Sequence, residues 1–381
     1  MHLVIVTNRF IVGEGQGRVN VELARAAARQ GHTVTCLAHA VDNRLLMQPN
    51  VEWAHMPDAN APSALIGNLR FARATTNWLK AHGRAADLVV ANGANTWAPV
   101  DVNIVHFVHS AWRESPVHDG RLRSDLKGAY QWIYSSVNAH FERRAFARAR
   151  RIVAVSAKVR EELVAHGVPA HRIQVIHNGV DTSEFHPGSV SRKPLGLPED
   201  VPLGLFAGDI RTPRKGMDTL IAALTDAPSV HLAVAGRVEG SPFPAIAAET
   251  GVADRVHFLD FRRDVPDLMR AADFLAFPSR YEACSLVLLE ALGAGLPILT
   301  TRSAGGAELV TPDAGTVLED SDDVGAVAAE LRRFARETRS SDAMSRAARA
   351  IAESNTWGVM AQKYLDLFEA LHAPRAPQVA A

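Results

Sequence analysis

Only two cysteines occur in 381 residues, Cys36 and Cys284, far apart and without the spacing of metal ligands. They exclude a disulfide framework and a cysteine-based zinc site, and they fit a reducing compartment. An excess of charge of one sign is also missing: 41 Lys and Arg stand against 41 Asp and Glu. No global field therefore points to a nucleic-acid partner. No apolar run is long enough to span a bilayer, and the opening run His2-Leu3-Val4-Ile5-Val6-Thr7 is too short even for a signal-peptide core. The expectation is a cytoplasmic protein, with peripheral contact to the cytoplasmic face of the inner membrane left open.

What is present is a 47% hydrophobic chain, too long for one ordinary core and suited to two. The opening run reads as a buried parallel strand. A glycine-rich turn, Gly13-Glu14-Gly15-Gln16-Gly17, comes next, then a helix from about Arg18 to Gln30, a Gly31 stop and a strand from Thr33. That is a βαβ unit. The alternation continues through strands at 87–91, 102–105, 151–155 and 174–176, with a long helix from about Ser124 to Arg148. Pro, Gly and Ser then gather across 183–199, as in a linker. A second series places strands near 201–206, 230–235, 255–259, 274–277 and 297–300. The reading is α/β, with two doubly wound, Rossmann-like domains at 1–182 and 200–355 facing a central cleft at their strand C-termini. A final amphipathic helix over 356–373 is expected to pack back on the first domain.

Five clusters carry candidate chemistry. Glu282 comes after the strand Phe274–Phe277, and Glu290 lies about two turns into the next, largely apolar helix. A helix beginning near Cys284 leaves unpaired amides at its N-terminus, which favour a diphosphate there. A carboxylate on that helix needs a cation or a hydrogen-bonding ligand; a capping acid and a buried ion pair would explain both glutamates as well. Gly208 to Gly216 holds Arg211, Arg214 and Lys215 beside a strand end, which suits a leaving diphosphate or a merely solvated loop. Gly15 and Gly17 belong to a Gly-x-Gly-x-Gly run that misses the dinucleotide spacing by one position. His106 and His109 lack a third ligand for a metal. Arg143, Arg144, Arg148, Arg150 and Arg151, with Arg121, Arg123 and Lys127 upstream, are either a solvated basic face or, with Trp112, Tyr130, Trp132 and Tyr134, a surface for anionic lipid.

The string Ser279-Arg280-Tyr281-Glu282…Leu289-Glu290-Ala291, continued by Gly293-Ala294-Gly295-Leu296-Pro297, resembles the paired-glutamate signature of family 4 glycosyltransferases of the GT-B fold. Asn178-Gly179-Val180-Asp181, Pro213-Arg214-Lys215-Gly216, Ala304-Gly305-Gly306-Ala307-Glu308 and the Trp357 helix match as well, so the resemblance runs over nearly the whole chain. It implies that the second domain binds a nucleoside-diphosphate sugar and the first an acceptor. Glu290 would hold the donor ribose, Glu282 and His109 would face the transferred sugar, and Lys215 would contact the diphosphate. Gly15 and Gly17 would reach the donor from the opposite side, with Gly208 and the amides of Ser285 to Val287 completing the donor site. The family's usual arginine position is Asp209 here, which makes Arg211 its candidate replacement; Arg214 is expected to be structural or exposed, and His106 structural. Ala283-Cys284-Ser285 stands where many members carry Gly-Phe-Gly, and donor preference is expected to reside there.

The implied reaction is transfer of a hexose-type sugar with retention of anomeric configuration, from a UDP- or GDP-linked donor to a carbohydrate or glycolipid hydroxyl. Bacterial lipopolysaccharide, polysaccharide or glycolipid synthesis is the common context. No carboxylate pair is placed in the hydrolase manner. The leaving phosphate oxygen would help take the acceptor proton, and no Asp-x-Asp metal site, metal or cofactor is expected. A nucleotide-sugar 2-epimerase of the same architecture, a secondary-metabolite glycosyltransferase and a non-catalytic binding protein are the alternatives.

Overall fold

The computed structural model describes residues 1–13, 15–57, 61–337 and 342–373. Short β-branched runs form two parallel sheets, because strands buried on both faces need no polar alternation. The first sheet runs Val51–His55, Thr33–Ala38, His2–Val6, Leu88–Asn92, Val100–Val105, Ala149–Ala154 and Ile173–Val175 in space. The second runs Val256–Phe258, His231–Ala235, Leu203–Ala207, Phe274–Phe277, Ile298–Thr301 and Gly315–Leu318. Read across either sheet, the strands come in the chain order third, second, first, fourth, fifth, sixth, and the first sheet adds a seventh at its far edge. Register is set within this pattern: Ile5 pairs Cys36 on one side and Val90 on the other, and Leu205 lies between Ala233 and Leu275.

That order reverses direction beside the first strand, where an open crevice forms past the strand C-termini. In the first sheet the crevice is bounded by the loops that leave Val6 and Asn92; in the second, by those that leave Ala207 and Phe277. The candidate loops of the sequence fall at these two places.

Each half has its own core, one built around Leu3–Val6, Ile152–Val155 and Val159, the other around Leu205, Phe206, Leu220, Phe274 and Phe277. The last helix, Trp357–His372, belongs to the first: Tyr364, Leu365 and Phe368 are fully buried in that core. The chain thus crosses between halves twice. At the crossings Val180 N–H donates to Asn355 O at 3.0 Å and Trp357 N–H to Val180 O at 3.3 Å. Gly179 makes this approach feasible, since a Cβ there would sit 2.5 Å from the Trp357 backbone.

The long helix of the first half is Leu126–Arg148, and Asp125 caps it by accepting from Gly128 N–H at 2.9 Å. The first helix differs from expectation. It spans Gly15–Arg29, so Gly15, Gln16 and Gly17 form its first turn rather than a free turn ahead of it. Close packing overrides the poor helix propensity of glycine here: a Cβ on Gly17 would lie 2.6 Å from Ile11 O.

Candidate functional site

Three loops of the second half converge past its strand ends. After Leu203–Ala207 the chain turns through Gly208 into the short 3-10 turn Pro213–Lys215. Gly216 ends that turn with φ of +74°, and its missing side chain leaves room for Pro278 O, only 2.0 Å from a would-be Cβ. This positive-φ contact, open to glycine alone, seats the Lys215 turn on the loop that carries Glu282. Arg280 locks the same pair of loops, donating to Pro213 O and in a fork to Asp218 at 2.7 and 3.0 Å.

Lys215 Nζ lies 2.8 Å from Glu282 Oε1 as an ion pair, and 4.9 Å from the centre of the Phe277 ring. Arg214, expected to be structural or exposed, instead approaches the same Glu282 oxygen at 3.3 Å. The Lys215 side chain also covers Gly208, whose would-be Cβ it meets at 2.9 Å.

Beside this pair opens a pocket of about 520 Å³, lined among others by Gly208, Arg211, Arg237, Phe261, Val287 and Glu290. Glu290 projects from the helix Leu286–Gly293, and no cation among the described residues pairs with it. Burial pushes its carboxyl up to about 7, with Glu184 adding repulsion and Arg18 opposing. Arg211 is tied to Asp209, donating through Nε and Nη2 at 2.9 Å each. Arg262 is likewise held by Asp264. Arg237, absent from the candidates of the sequence, has no carboxylate partner among the described residues. Its signal is its place two residues past the strand His231–Ala235, just beyond Gly236, which is level with Gly208.

The helix after Glu282 begins at Leu286, two residues later than expected, and the Ser285 amide is not free: it donates to Gly305 O at 2.9 Å. The amides of Leu286 and Val287 open the helix. Across the gap, Leu286 Cδ1 comes within 3.4 Å of a would-be Cβ on Gly15. Gly17 packs on Ile11 within its own half, which accounts for that glycine without a ligand. Glu14 lies outside the described residues.

Ala283, Cys284 and Ser285 join the two halves. The Ser156 hydroxyl donates to Ala283 O at 2.6 Å, and Ala283 sits in the core of the first half. Cys284 is desolvated there, which pushes its thiol up to about 12. The segment expected to carry donor preference is thus the interdomain joint. Tyr281 extends that joint, its ring 4.8 Å from Trp112 and 5.6 Å from Phe107. This places Glu282 next to the segment that bears His109.

In the first half, a pocket of about 170 Å³ lies at the ends of His2–Val6 and Leu88–Asn92. His109 opens the helix His109–Glu114 in its wall. Glu142, reached from the long helix, accepts from the His109 backbone N–H at 2.9 Å, while its other oxygen is 2.6 Å from His109 Nδ1. Glu142 is 4% exposed and is not among the expected site residues; an acid 33 residues away gives no local signal. The pair fixes the imidazole, leaving Nε2 for other partners. His106, expected to be structural, lines this pocket too, and its Nε2 is buried without a partner.

Among the described residues, no group of three or more His, Cys, Asp or Glu is placed to hold a metal ion. One Asp-x-Asp spacing does occur, Asp320-Ser321-Asp322, but Asp322 is bound by Arg280 at 2.6 Å and its own N–H donates to Asp320 at 2.8 Å. No helix among the described residues is long and apolar enough to cross a membrane. Of the aromatic residues near the basic stretch, Trp112 packs inward on Tyr281, whereas Trp132 is exposed beneath Arg121, 5.5 Å from its ring centre.

Comparison with known proteins adds an independent line. Residues 13–184 match the family model described as Glycosyltransferase Family 4, and residues 189–351 match Glycosyl transferases group 1. A D-inositol 3-phosphate glycosyltransferase of Xylanimonas cellulosilytica is 31% identical over 92% of this chain and 91% of its own length. One of the same name from Mycolicibacterium smegmatis is 32% identical over 70% of this chain and 62% of its own. Among solved structures, WaaG, a glycosyltransferase involved in lipopolysaccharide biosynthesis, superposes with a TM-score of 0.75 at 24% identity, covering 97% of this chain and 99% of that one. Anabaena HepE in complex with UDP-glucose gives 0.68 at 19% identity, covering 97% of this chain and all of that one (100%). At these identities the two structures attest the fold, with its two Rossmann-like domains.

Proposed function

The chain belongs to the family 4 glycosyltransferases, and from that premise we propose that it moves a hexose-type sugar from a nucleoside diphosphate to an acceptor hydroxyl with retention of configuration. The observation that carries this reading is the Lys215–Glu282 ion pair beside the unpaired Glu290, at the crevice of the second sheet. A diphosphate arriving there would compete with Glu282 for Lys215, freeing the carboxylate to accept from sugar hydroxyls. Lys215, Arg237 and the Leu286 and Val287 amides would stabilise the charge that grows on the departing phosphate. Glu290 would accept from the ribose, and Phe261, 68% exposed at the pocket rim, offers a face to the base. His109, oriented by Glu142, faces the gap from the first half, which takes the acceptor. Closure would keep water from the donor. No step in this scheme requires a metal.

A bacterial glycolipid or polysaccharide context is supported by the surface of the first half. Leu122, Leu126, Trp132 and Ile133 are exposed between Arg121, Arg123 and Lys127, a combination that suits peripheral contact with an anionic bilayer.

Transfer is tested with a panel of UDP- and GDP-sugars and sugar acceptors, using Lys215→Ala and Glu290→Ala. Both variants should lose transfer and keep the native circular dichroism spectrum. Full turnover by both would overturn the assignment.

A further inference from the structure

The polar pocket of the first half is built unlike an anion site. We infer that it is an acceptor subsite for an uncharged polyol, and that its lining discriminates against a phosphorylated one. The inference rests on the glycosyl-transfer reading and specifies its acceptor.

Amides dominate the wall: Asn8, Gln16, Asn68, Asn92, Asn95 and Asn138. No lysine or arginine is among the lining residues. The formal charges available are those of Glu142 and the histidines. With a neutral ring the His109–Glu142 pair carries one negative charge, and with a protonated ring none, so in neither state does it attract an anion. The other ring, His106, is held down to about 4 by desolvation and is neutral near pH 7. Lys215, across the gap on the second half, is already engaged by Glu282.

The free hydrogen-bonding atoms point the same way. Asn20 Nδ2 donates to Gln16 O at 2.8 Å, which leaves Asn20 Oδ1 to accept from Asn92 Nδ2 at 2.9 Å. This chain fixes both amides and leaves Asn92 Oδ1 buried with no donor, on a residue only 3% exposed. His106 Nε2 is buried and unpartnered in the same wall. An acceptor oxygen without a donor needs an O–H, and a hydroxyl can also satisfy the ring nitrogen in either tautomer. An ionised phosphate oxygen has no hydrogen to give Asn92 Oδ1, which it would leave desolvated, and it is repelled by the Glu142 carboxylate. Several amides around a small volume are what several hydroxyls require. The phosphate in the name of the inositol 3-phosphate relatives is the charge this wall does not meet.

Ligand-observed NMR titrations of the full chain, with and without UDP, test this using matched pairs: myo-inositol against inositol 3-phosphate, and glucose against glucose 6-phosphate. The neutral member of at least one pair should bind about tenfold or more tightly than its phosphorylated partner. Asn138→Lys and, should that variant fail to fold, Asn68→Lys should reverse the preference. Equal or tighter binding of the phosphorylated members to the wild type, or no binding of either neutral polyol, would overturn the inference. Failure of UDP alone to bind counts against the transferase reading, while the polyol ratio still decides the pocket.

Discussion

The Ser156 hydroxyl serves both halves at once: it donates to Ala283 O at 2.6 Å and accepts from Val159 N–H at 3.1 Å. The second bond caps the helix Ala157–Ala165; the first anchors the loop that carries Glu282. Ser156→Ala should cost about 1 kcal/mol for the cap and about 1–3 kcal/mol more for the orphaned buried carbonyl. A thermal melt should show a drop of several degrees, and the KM for donor should rise. An unchanged melting temperature would show that the joint does not depend on this bond.

Glu142 is a positioning residue for His109, which it grips through both the backbone amide and Nδ1. Glu142→Ala should lower kcat about 10- to 100-fold, the usual consequence of losing an orienting partner, with donor KM little changed. Glu142→Gln should recover part of the loss, because an amide oxygen still accepts from His109. A purely structural role would instead lower stability and leave the pH profile of kcat where it was.

Glu290 should make both stability and nucleotide binding depend on pH. Burial raises its carboxyl from 4.5 to about 7, so between these values the folded chain holds a proton that the unfolded chain has lost. The group's contribution to stability therefore falls as pH rises through that window, and stays lost above it. Urea unfolding should show Glu290→Gln gaining on the wild type between about pH 5 and 8, by on the order of 1–3 kcal/mol. Ribose hydroxyls favour the ionised carboxylate, so wild-type UDP binding should tighten over the same window with release of a proton. Calorimetry in buffers of different ionisation enthalpy detects that proton, and Glu290→Gln should lack it.

Arg237 and Arg211 share a pocket but differ in what holds them. Arg211 is neutralised by the Asp209 fork, whereas no carboxylate among the described residues engages Arg237. Arg237→Ala should weaken UDP binding about tenfold or more, the scale of a lost charged hydrogen bond, and Arg211→Ala should do less. The reverse order in a calorimetric titration would restore Arg211 as the diphosphate ligand.

Much of the architecture is legible in the chain because buried parallel strands and Gly-terminated helices leave local marks. Phe274–Phe277 stands where it is expected, and most of the other strands differ by a residue or two. The strand Val51–His55 leaves no such mark because it lies at a sheet edge, where Glu52, Trp53 and His55 face outward and break the apolar run. The start of the first helix lies earlier than its glycines suggest, because they report tight packing on Ile11 and not a loop. Lys215 and Glu282 each sit one loop beyond a strand, a position the sequence does disclose. Glu142 and Arg214 depend on tertiary contacts within their own halves, and the docking of Ala283 on contacts made after the halves come together; no periodicity records either. The departure at Ala283-Cys284-Ser285 is visible in the sequence; that its Ala283 carbonyl takes the Ser156 hydrogen bond is not.

The two interdomain crossings, laced together at Val180 and Thr356, also have a mechanical meaning. Where both threads of a two-part body pass through one knot, that knot is the pivot, and every other point moves in proportion to its distance from it. Arg18, reaching Asp181 and Glu184 at 3.6 and 3.3 Å beside Trp357, sits near the fulcrum and travels little. His109 and Glu282 lie instead beside a second seam, where Ser156 holds Ala283 and Tyr281 packs on Trp112. Under the proposed transfer, a sugar bridging them would add its hydrogen bonds to that seam and hold the halves together at two places rather than one.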